Sequence, residues 1–271
     1  METGLAGRCV IVTGATANIG RGIALAFAAE GANVVVVGRD AAAGARVAEA
    51  LMARGAEDVL WQAADVTDRG QVDAMVTASL DRFGAIDVLV NNVGGNVDID
   101  AFVDSKPETW EQDIALNLFS TLHCTHAVLP RMIERSYGRI INIGSTAGLV
   151  GNTMLAVYST AKGGVHAFTR VLAKEVGKQG VTVNAIAPYG TLPDDPENDV
   201  STGSRFHPEG VFARAQATRS EVLMAMGRRT VLERQLARPS EIGAAAVYLA
   251  SDAAAFITGQ VLAIDGGTQL A

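Results

Sequence analysis

Short β-branched runs alternate with helical stretches along almost the whole chain, and this alternation is the strongest constraint on its fold. The predicted strands cover residues 9–12, 34–37, 59–62, 86–90, 139–143, 181–186 and 261–264. The predicted helices cover residues 19–30, 40–54, 68–83, 107–135, 153–178 and 240–250. Strands that are apolar almost throughout are typical of parallel strands buried on both faces. The pattern predicts an α/β fold: one doubly wound, seven-stranded parallel sheet with helices on both faces.

No repeat, low-complexity segment or linker divides the sequence, so we expect residues 1–271 to form a single domain. One stretch, at about 189–238, interrupts the strand–helix rhythm and contains a further helical run near 209–227. An insertion this long after a sheet strand usually covers a ligand or is mobile. We therefore expect this insertion to cover the substrate.

Composition argues against several classes of partner. The net charge is −7 and no block of lysine or arginine occurs, which is against a nucleic-acid partner. No apolar run approaches the roughly 20 residues of a membrane span, and the first eight residues lack the apolar segment of a signal peptide. The two cysteines lie in unrelated segments, as expected for reduced thiols in a cytoplasmic protein. The four histidines form no cluster with cysteines or carboxylates, so no metal site is expected.

A glycine-containing turn follows the first predicted strand. Residues 13–20 read TGATANIG, with a strand before the turn and a helix after it. Glycines allow a tight turn and let a pyrophosphate approach the N–H groups at the start of the helix. Glycine also marks ordinary turns, but the strand–turn–helix context favours dinucleotide binding.

Tyr158 and Lys162 are four residues apart on a predicted helix and therefore lie on one face. An ammonium group beside a phenol favours the phenolate and makes it useful for proton transfer at neutral pH. Ser145, at the end of an apolar strand, could direct a hydroxyl at the same substrate oxygen. Taken alone, the Tyr–Lys spacing could also be an accident on a solvated helix.

Several spaced motifs occur in one order: TGxxxNxG at 13–20, NNVG at 91–94, Asn117, Ser145, YSTAK at 158–162 and NxxxP at 184–188. Together they resemble the short-chain dehydrogenase/reductase family over nearly the whole chain. The resemblance implies a Rossmann-type domain, a nicotinamide dinucleotide, and reversible oxidation of an alcohol to a carbonyl.

The resemblance also implies catalytic roles. Tyr158 would be the general acid in reduction and the base in oxidation, and Lys162 would activate Tyr158 and hold the nicotinamide ribose. Ser145 would hydrogen-bond the substrate oxygen. Asn117 would help to hold a water in a proton relay, although an asparagine inside a helix can also simply bond neighbouring backbone.

For the cofactor, Gly14, Ile19 and Gly20 would frame the pyrophosphate, and Asp65 with Val66 resembles the family's contact to adenine. The other expected contacts are Asn91 and Gly94 on the adenosine side, with Asn91 alternatively bracing its strand, and Pro188 and Thr191 near the nicotinamide.

Two positions depart from the family pattern. Asn18 replaces the usual middle glycine, but asparagine tolerates left-handed backbone angles best among the other residues. Tyr189 follows Pro188 where glycine is common, which leaves the register of Thr191 open.

The choice between NAD and NADP depends on residues 37–40, which read VGRD. Gly38 offers no carboxylate to the ribose 2′-hydroxyl, and Arg39 could bind a 2′-phosphate. We therefore favour NADP(H). The alternative is that Arg39 is only a surface residue and that Asp40 holds the hydroxyl.

The substrate is less well defined by the sequence. The residues expected around the carbonyl, besides Ser145, are Asn96, Leu149, Val150, Met154 and Tyr189, and they suggest a small-to-medium, hydrophobic secondary alcohol or ketone. In the insertion, Phe206 or Phe212 could add apolar surface, and Arg205, His207 and Arg214 could bind an anion or face solvent. Alternatives are a 3-oxoacyl-thioester reductase and a non-catalytic dinucleotide-binding scaffold. Family resemblance further implies a homotetramer, or else a homodimer.

Overall fold

The computed structural model describes residues 2–193, 200–202, 204, 207–211, 213–215, 217, 227 and 229–270. These residues form one sheet of seven parallel strands, in the order β3-β2-β1-β4-β5-β6-β7. The strands are β1 (Cys9–Thr13), β2 (Asn33–Gly38), β3 (Asp58–Ala63), β4 (Val88–Asn91), β5 (Gly138–Ile143), β6 (Val181–Pro188) and β7 (Val261–Ile264). The predicted doubly wound sheet is confirmed, because the strand order reverses direction between β1 and β4.

Helices cover both faces of the sheet. Those in the described residues are α1 (Asn18–Ala29), α2 (Ala41–Arg54), α3 (Arg69–Phe83), α4 (Pro107–Ile114), α5 (Ser120–Glu134), α6 (Ala147–Val150), α7 (Ala156–Val176) and α8 (Pro239–Ala250). No helix among them has the length and apolar character needed to cross a membrane.

Each central strand buries side chains on both faces. In β1, Val10 and Val12 pack with α1, α2 and α8, whereas Cys9 and Ile11 pack with α3, α5 and α7. All four side chains are at most 2% exposed. This two-sided burial explains why the strands are continuous apolar runs and not alternating ones.

The long helix predicted over 107–135 is interrupted. Between α4 and α5, residues Ala115–Phe119 form a π-helical turn, in which the N–H of Ser120 donates to the carbonyl of Ala115. π-Helical turns add a residue to a helix and are frequent at functional sites. The helix predicted over 153–178 begins later, at Ala156, after Met154 with a φ of 67°.

Candidate active site

A cavity of about 530 Å³ opens at the carboxyl edge of the sheet, where the strand order reverses. Ligands of doubly wound sheets bind at this position. It is lined by the glycine turn, the ends of β2, β5 and β6, the loop after β4, α7, and residues of the insertion that include Ser201, Thr202, Ser204, Glu209 and Arg214.

The glycine turn is shaped to receive a phosphate. Gly14 has a φ of 63°, and a Cβ at Gly20 would collide with the carbonyl oxygen of Gly14. The residue before α1, Ala17, provides no side-chain cap, and the first turn of α1 contains no acidic residue. The N–H groups at the start of α1 are therefore available to an anion, and Gly14, Ile19 and Gly20 all line the cavity.

Asn18 adopts the left-handed conformation expected for it, with a φ of 39°. Its Nδ2 donates to the carbonyl of Thr191 at 3.4 Å, which links the glycine turn to the segment after β6. Among the described residues, neither Asn18 Oδ1 nor Thr191 Oγ1 has a hydrogen-bond partner, although both atoms are buried. Both residues line the cavity, so these atoms fit a site that pairs with polar groups of a bound dinucleotide.

Asn92 braces the same turn and was not singled out from the sequence. Its Nδ2 donates to the carbonyls of Thr13 at 2.9 Å and Gly14 at 3.1 Å. Its backbone N–H also donates to Thr13 Oγ1 at 2.9 Å. Asn92 therefore fixes the end of β1 against the loop after β4.

Ser145, Tyr158 and Lys162 are brought together in the cavity, and each is at most 7% exposed. Lys162 Nζ lies 5.9 Å from the centre of the Tyr158 ring and donates to the carbonyl of Ile143 at 2.8 Å. Ser145 Oγ accepts the N–H of Ala147 at 3.1 Å. A serine oxygen that accepts a backbone N–H keeps its own proton for a second partner.

Asn117 lies in the π-helical turn and is fully buried, outside the cavity lining. Its Nδ2 donates to the carbonyls of Gly95 at 2.7 Å and Asp113 at 2.8 Å, and its Oδ1 accepts the N–H of Gly95 at 3.0 Å. A Cβ on Gly94 would lie 2.8 Å from both Asn117 Oδ1 and Lys162 Nζ. Asn117 thus holds the loop after β4 beside the lysine.

Asn91 is a correction to the expected cofactor contacts, because it does not line the cavity. Its Nδ2 donates to Thr125 Oγ1 and to Asn142 Oδ1, both at 2.9 Å. Asn142 in turn donates to Thr169 Oγ1 at 2.9 Å. The side chain braces β4 against β5 and α5, which was the alternative considered for it.

Three expected substrate contacts also lie outside the cavity lining: Leu149, Val150 and Met154. Val150 ends the short helix α6 and is 52% exposed. Met154 lines a separate, smaller pocket with Trp110, and Tyr158 lines both this pocket and the main cavity. Asn96 and Tyr189 do line the main cavity, as do Pro188 and Gly94.

Arg39, Asp65 and Val66 line the cavity near the ends of β2 and β3. Arg39 Nη1 lies 3.6 Å from Asp65 Oδ2, and Asp65 Oδ1 accepts hydrogen bonds from the N–H and hydroxyl of Thr67. Partial burial raises the pKa of Asp65, but the Thr67 hydrogen bonds and the charge of Arg39 outweigh it and leave the pKa below its usual value.

In the insertion, Arg214 lines the cavity, and its Nη1 donates to the carbonyl of Glu209 at 2.8 Å. His207 lies outside the lining and accepts the N–H of Glu209 through Nδ1. Arg205, Phe206 and Phe212 lie outside the described residues.

No group of three metal-ligating side chains occurs in the described part of the chain. Cys9 and Cys124 are free and buried, and burial raises the pKa of each thiol to about 12.

Comparison with known proteins gives two adjacent family matches. A model described as short chain dehydrogenase matches residues 8–201, and one described as enoyl-(acyl carrier protein) reductase matches residues 209–269.

Three similar proteins match along their whole length. D-beta-hydroxybutyrate dehydrogenase from Cupriavidus necator is 39% identical over 267 residues, covering 97% of this chain and 98% of that protein. 3-Oxoacyl-[acyl-carrier-protein] reductase from Synechocystis is 40% identical over 266 residues, covering 98% of each chain. 2,3-Dihydroxy-2,3-dihydro-p-cumate dehydrogenase from Pseudomonas putida is 34% identical over 272 residues, covering 98% of this chain and 96% of that protein.

Proposed function

This chain belongs to the short-chain dehydrogenase/reductase family and is an NAD(P)-dependent oxidoreductase of alcohols and ketones; we propose that Ser145, Tyr158 and Lys162 carry out its proton chemistry. The observation that supports this assignment is the meeting of all three side chains in the cavity that also contains the glycine turn. When bound, the nicotinamide supplies or accepts the hydride. The protein residues then bind the substrate oxygen and control its proton.

In the reducing direction, Tyr158 donates its phenolic proton to the substrate oxygen as the carbonyl becomes an alcohol. The hydroxyl of Ser145 donates a hydrogen bond to the same oxygen, which stabilises the negative charge that develops there. Lys162 favours the phenolate left behind, because an ammonium beside a phenol stabilises its charged form. We further propose that Asn117 supports a water relay to Lys162, since its hydrogen bonds to Gly95 hold the loop whose neighbouring residue, Gly94, lies beside the lysine. In oxidation the same groups act in reverse.

We propose that the substrate carries a polar group close to its carbonyl or hydroxyl carbon. Asn96 lines the cavity and is only 9% exposed, yet neither of its amide atoms has a hydrogen-bond partner among the described residues. A buried amide of this kind needs a polar partner. A 3-oxo acid would place a carboxylate oxygen within reach of its N–H₂ group, consistent with the hydroxybutyrate dehydrogenase relative.

A 3-oxoacyl thioester is the second candidate. It offers a carbonyl oxygen at the corresponding position, and the Synechocystis relative is a 3-oxoacyl-[acyl-carrier-protein] reductase. Assays with acetoacetate, acetoacetyl-CoA and butanone, followed at the nicotinamide absorbance, distinguish the candidates. We expect butanone to be the poorest of the three and Asn96→Ala to reduce the advantage of the better polar substrate. If butanone is turned over best, the polar-substrate proposal is wrong.

We propose that NADP(H) is the preferred cofactor. A Cβ on Gly38 would lie 2.7 Å from Thr16 Cγ2, so an acidic side chain has no room at the end of β2. Asp40 uses one carboxylate oxygen to cap α2 through the N–H of Ala43 and the other to accept from Thr202. Arg39 can then pair with a 2′-phosphate. The test is kcat/KM with NADPH and NADH in the wild type, where a preference for NADH would refute the proposal.

We propose that residues 1–271 form one dinucleotide-binding domain in which the insertion at about 189–238 covers the substrate, as Glu209 and Arg214 at the cavity suggest. We also propose a homotetramer, supported by three exposed apolar side chains: Val171 on α7, Leu262 on β7 and Phe119, which directly precedes α5. Light scattering that gives the mass of one 28.1 kDa chain would contradict the homotetramer.

We also propose a cytoplasmic location, which the two free, buried cysteines support.

A further inference from the structure

A hydrogen bond joins the glycine turn to the insertion. Thr16 Oγ1 donates to Ser201 Oγ at 3.3 Å, across a sequence separation of 185 residues. Thr16 is 6% exposed and Ser201 is 9% exposed, and both line the main cavity. Two hydroxyl groups from distant parts of the chain therefore face the same end of the site.

This end of the cavity lies beyond the last residue of β2. Thr16 packs directly against Gly38, the last residue of β2, and Arg39 follows on the cavity wall. In doubly wound folds this position meets the adenosine ribose of a bound dinucleotide. A phosphate on that ribose accepts hydrogen bonds from hydroxyl and guanidinium groups alike, and charge-assisted hydrogen bonds are the strong ones.

A second contact holds Ser201 at this place. The backbone N–H and the hydroxyl of its neighbour, Thr202, donate to Asp40 Oδ2 at 3.2 and 3.3 Å. Asp40 is itself fixed because its other oxygen caps α2 at the N–H of Ala43. The insertion is thus attached to the start of α2 on one side of Ser201.

The carboxylates at this end of the cavity favour uncharged donors in addition to Arg39. Arg39 lines this part of the cavity wall, and the carboxylates of Asp40 and Asp65 line it as well, with Asp65 Oδ2 3.6 Å from the Arg39 guanidinium. A dianionic phosphate beside Arg39 would therefore also be repelled by the carboxylates of Asp40 and Asp65. Neutral donors such as the hydroxyls of Thr16 and Ser201 bind phosphate without adding to that repulsion.

We propose that Ser201 and Thr16, together with Arg39, bind the 2′-phosphate of NADP(H), and that the Thr202–Asp40 contact positions Ser201 for this role. The inference rests on the NADP(H) preference proposed above. It assigns part of the substrate-side insertion to cofactor selection, so that one segment of the chain serves both ligands.

The test measures dissociation constants on the full-length chain, by nicotinamide fluorescence for NADPH and NADH and by competition for adenosine 2′,5′-bisphosphate and AMP. The variants are Ser201→Ala and Thr16→Val. Thr77→Val is the matched control, because the Thr77 hydroxyl is exposed and bonded to its own helix at the carbonyl of Asp73. Circular dichroism verifies that each variant is folded.

We expect Ser201→Ala to weaken the binding of NADPH and of adenosine 2′,5′-bisphosphate by at least about tenfold, since a hydrogen bond to a charged group is lost. The dissociation constants for NADH and AMP should change by less than about twofold, which is the ordinary effect of a surface substitution. An equal loss for phosphorylated and unphosphorylated ligands would overturn the proposal, since Ser201 would then only hold the chain. No loss for any ligand would overturn it as well. A wild type that prefers NADH would instead refute the cofactor preference, and that result comes from the wild-type protein alone.

Discussion

Lys162 is held by the sheet while it faces Tyr158: its Nζ donates to the carbonyl of Ile143, the last residue of β5, and lies 5.9 Å from the centre of the Tyr158 ring. The position of the ammonium is therefore set by two elements, α7 and β5. A long, flexible side chain gains a fixed position in this way.

Tyr158→Phe should lower turnover strongly and spare cofactor binding. The substitution removes the phenolic proton but keeps the ring, and general acid catalysis typically contributes about 10²- to 10⁴-fold in rate. We expect kcat to fall by about 10³-fold, with the NADPH dissociation constant within about twofold of wild type. Tyr248→Phe, on a partly exposed tyrosine of α8, is the matched control and should retain activity. Near-normal turnover of the Tyr158 variant would remove it from the proposed mechanism.

Gly94→Ala should lower kcat. The added Cβ would lie 2.8 Å from both Lys162 Nζ and Asn117 Oδ1, and Asn117 is held by three hydrogen bonds. The lysine must therefore move, and a displacement of about 1 Å at a reacting centre can cost about 100-fold in rate. Gly177→Ala provides the control, since a Cβ there meets nothing within 4 Å. Equal activity of the two variants would show that the contact is unimportant.

The fold followed from the sequence, but the direction of individual side chains at the site did not. Where both faces of a strand are buried, apolar periodicity gives no information about which face a residue occupies. The pair Asn91-Asn92 illustrates this point. The Asn91 side chain donates hydrogen bonds to α5 and to Asn142, whereas that of its neighbour Asn92 donates to the end of β1 at the glycine turn. From the sequence alone, either residue could have faced the cofactor.

Asn91→Ala should destabilise the fold and leave cofactor binding intact. It removes two hydrogen bonds from a buried network and leaves Asn142 Oδ1 and Thr125 Oγ1 without that donor. We expect the free energy of unfolding in urea to fall by about 2 kcal/mol. Asn33→Ala, which removes a more exposed hydrogen bond to Gly7, should cost less than about 1 kcal/mol. A tenfold loss of cofactor affinity in the Asn91 variant would show that Asn91 contributes to the cofactor site after all.

Stability should decrease between pH 6.5 and pH 4 because of His166. Burial, with a contribution from the nearby Lys162 and Arg170, lowers the pKa of His166 from 6.5 to about 4. The unfolded chain therefore binds this proton more tightly, so the stabilising effect is complete above pH 6.5 and is lost as the pH falls toward 4. The loss should be about 3 kcal/mol in unfolding free energy.

The variant His166→Leu isolates that effect. Its unfolding free energy, measured in urea from pH 7 to pH 4.5, should vary much less with pH than that of the wild type. Parallel pH profiles of the two proteins would contradict the assignment of the transition to His166.

The contacts of the insertion could not have been predicted from the sequence. Ser201 and Thr202 carry no local pattern that distinguishes them from other polar residues of a long loop, and their partners Thr16 and Asp40 lie more than 160 residues away. Such contacts depend on how the loop crosses the finished sheet. By contrast, Asn18 could be interpreted locally, because its left-handed backbone is a property of one residue and its turn.

The π-helical turn at Ala115–Phe119 makes the site depend on the number of residues as well as on their identity. Successive residues of an α-helix are rotated by 100°, so removing one residue from this turn would rotate α4 by that angle relative to α5. Either Asn117 would lose its hydrogen bonds to Gly95 and Asp113, or Cys124 and Val128 of α5 would leave the hydrophobic core. A deletion of one codon in this region would therefore be more harmful than most substitutions there, because it changes the orientation of a whole helix and not of one side chain.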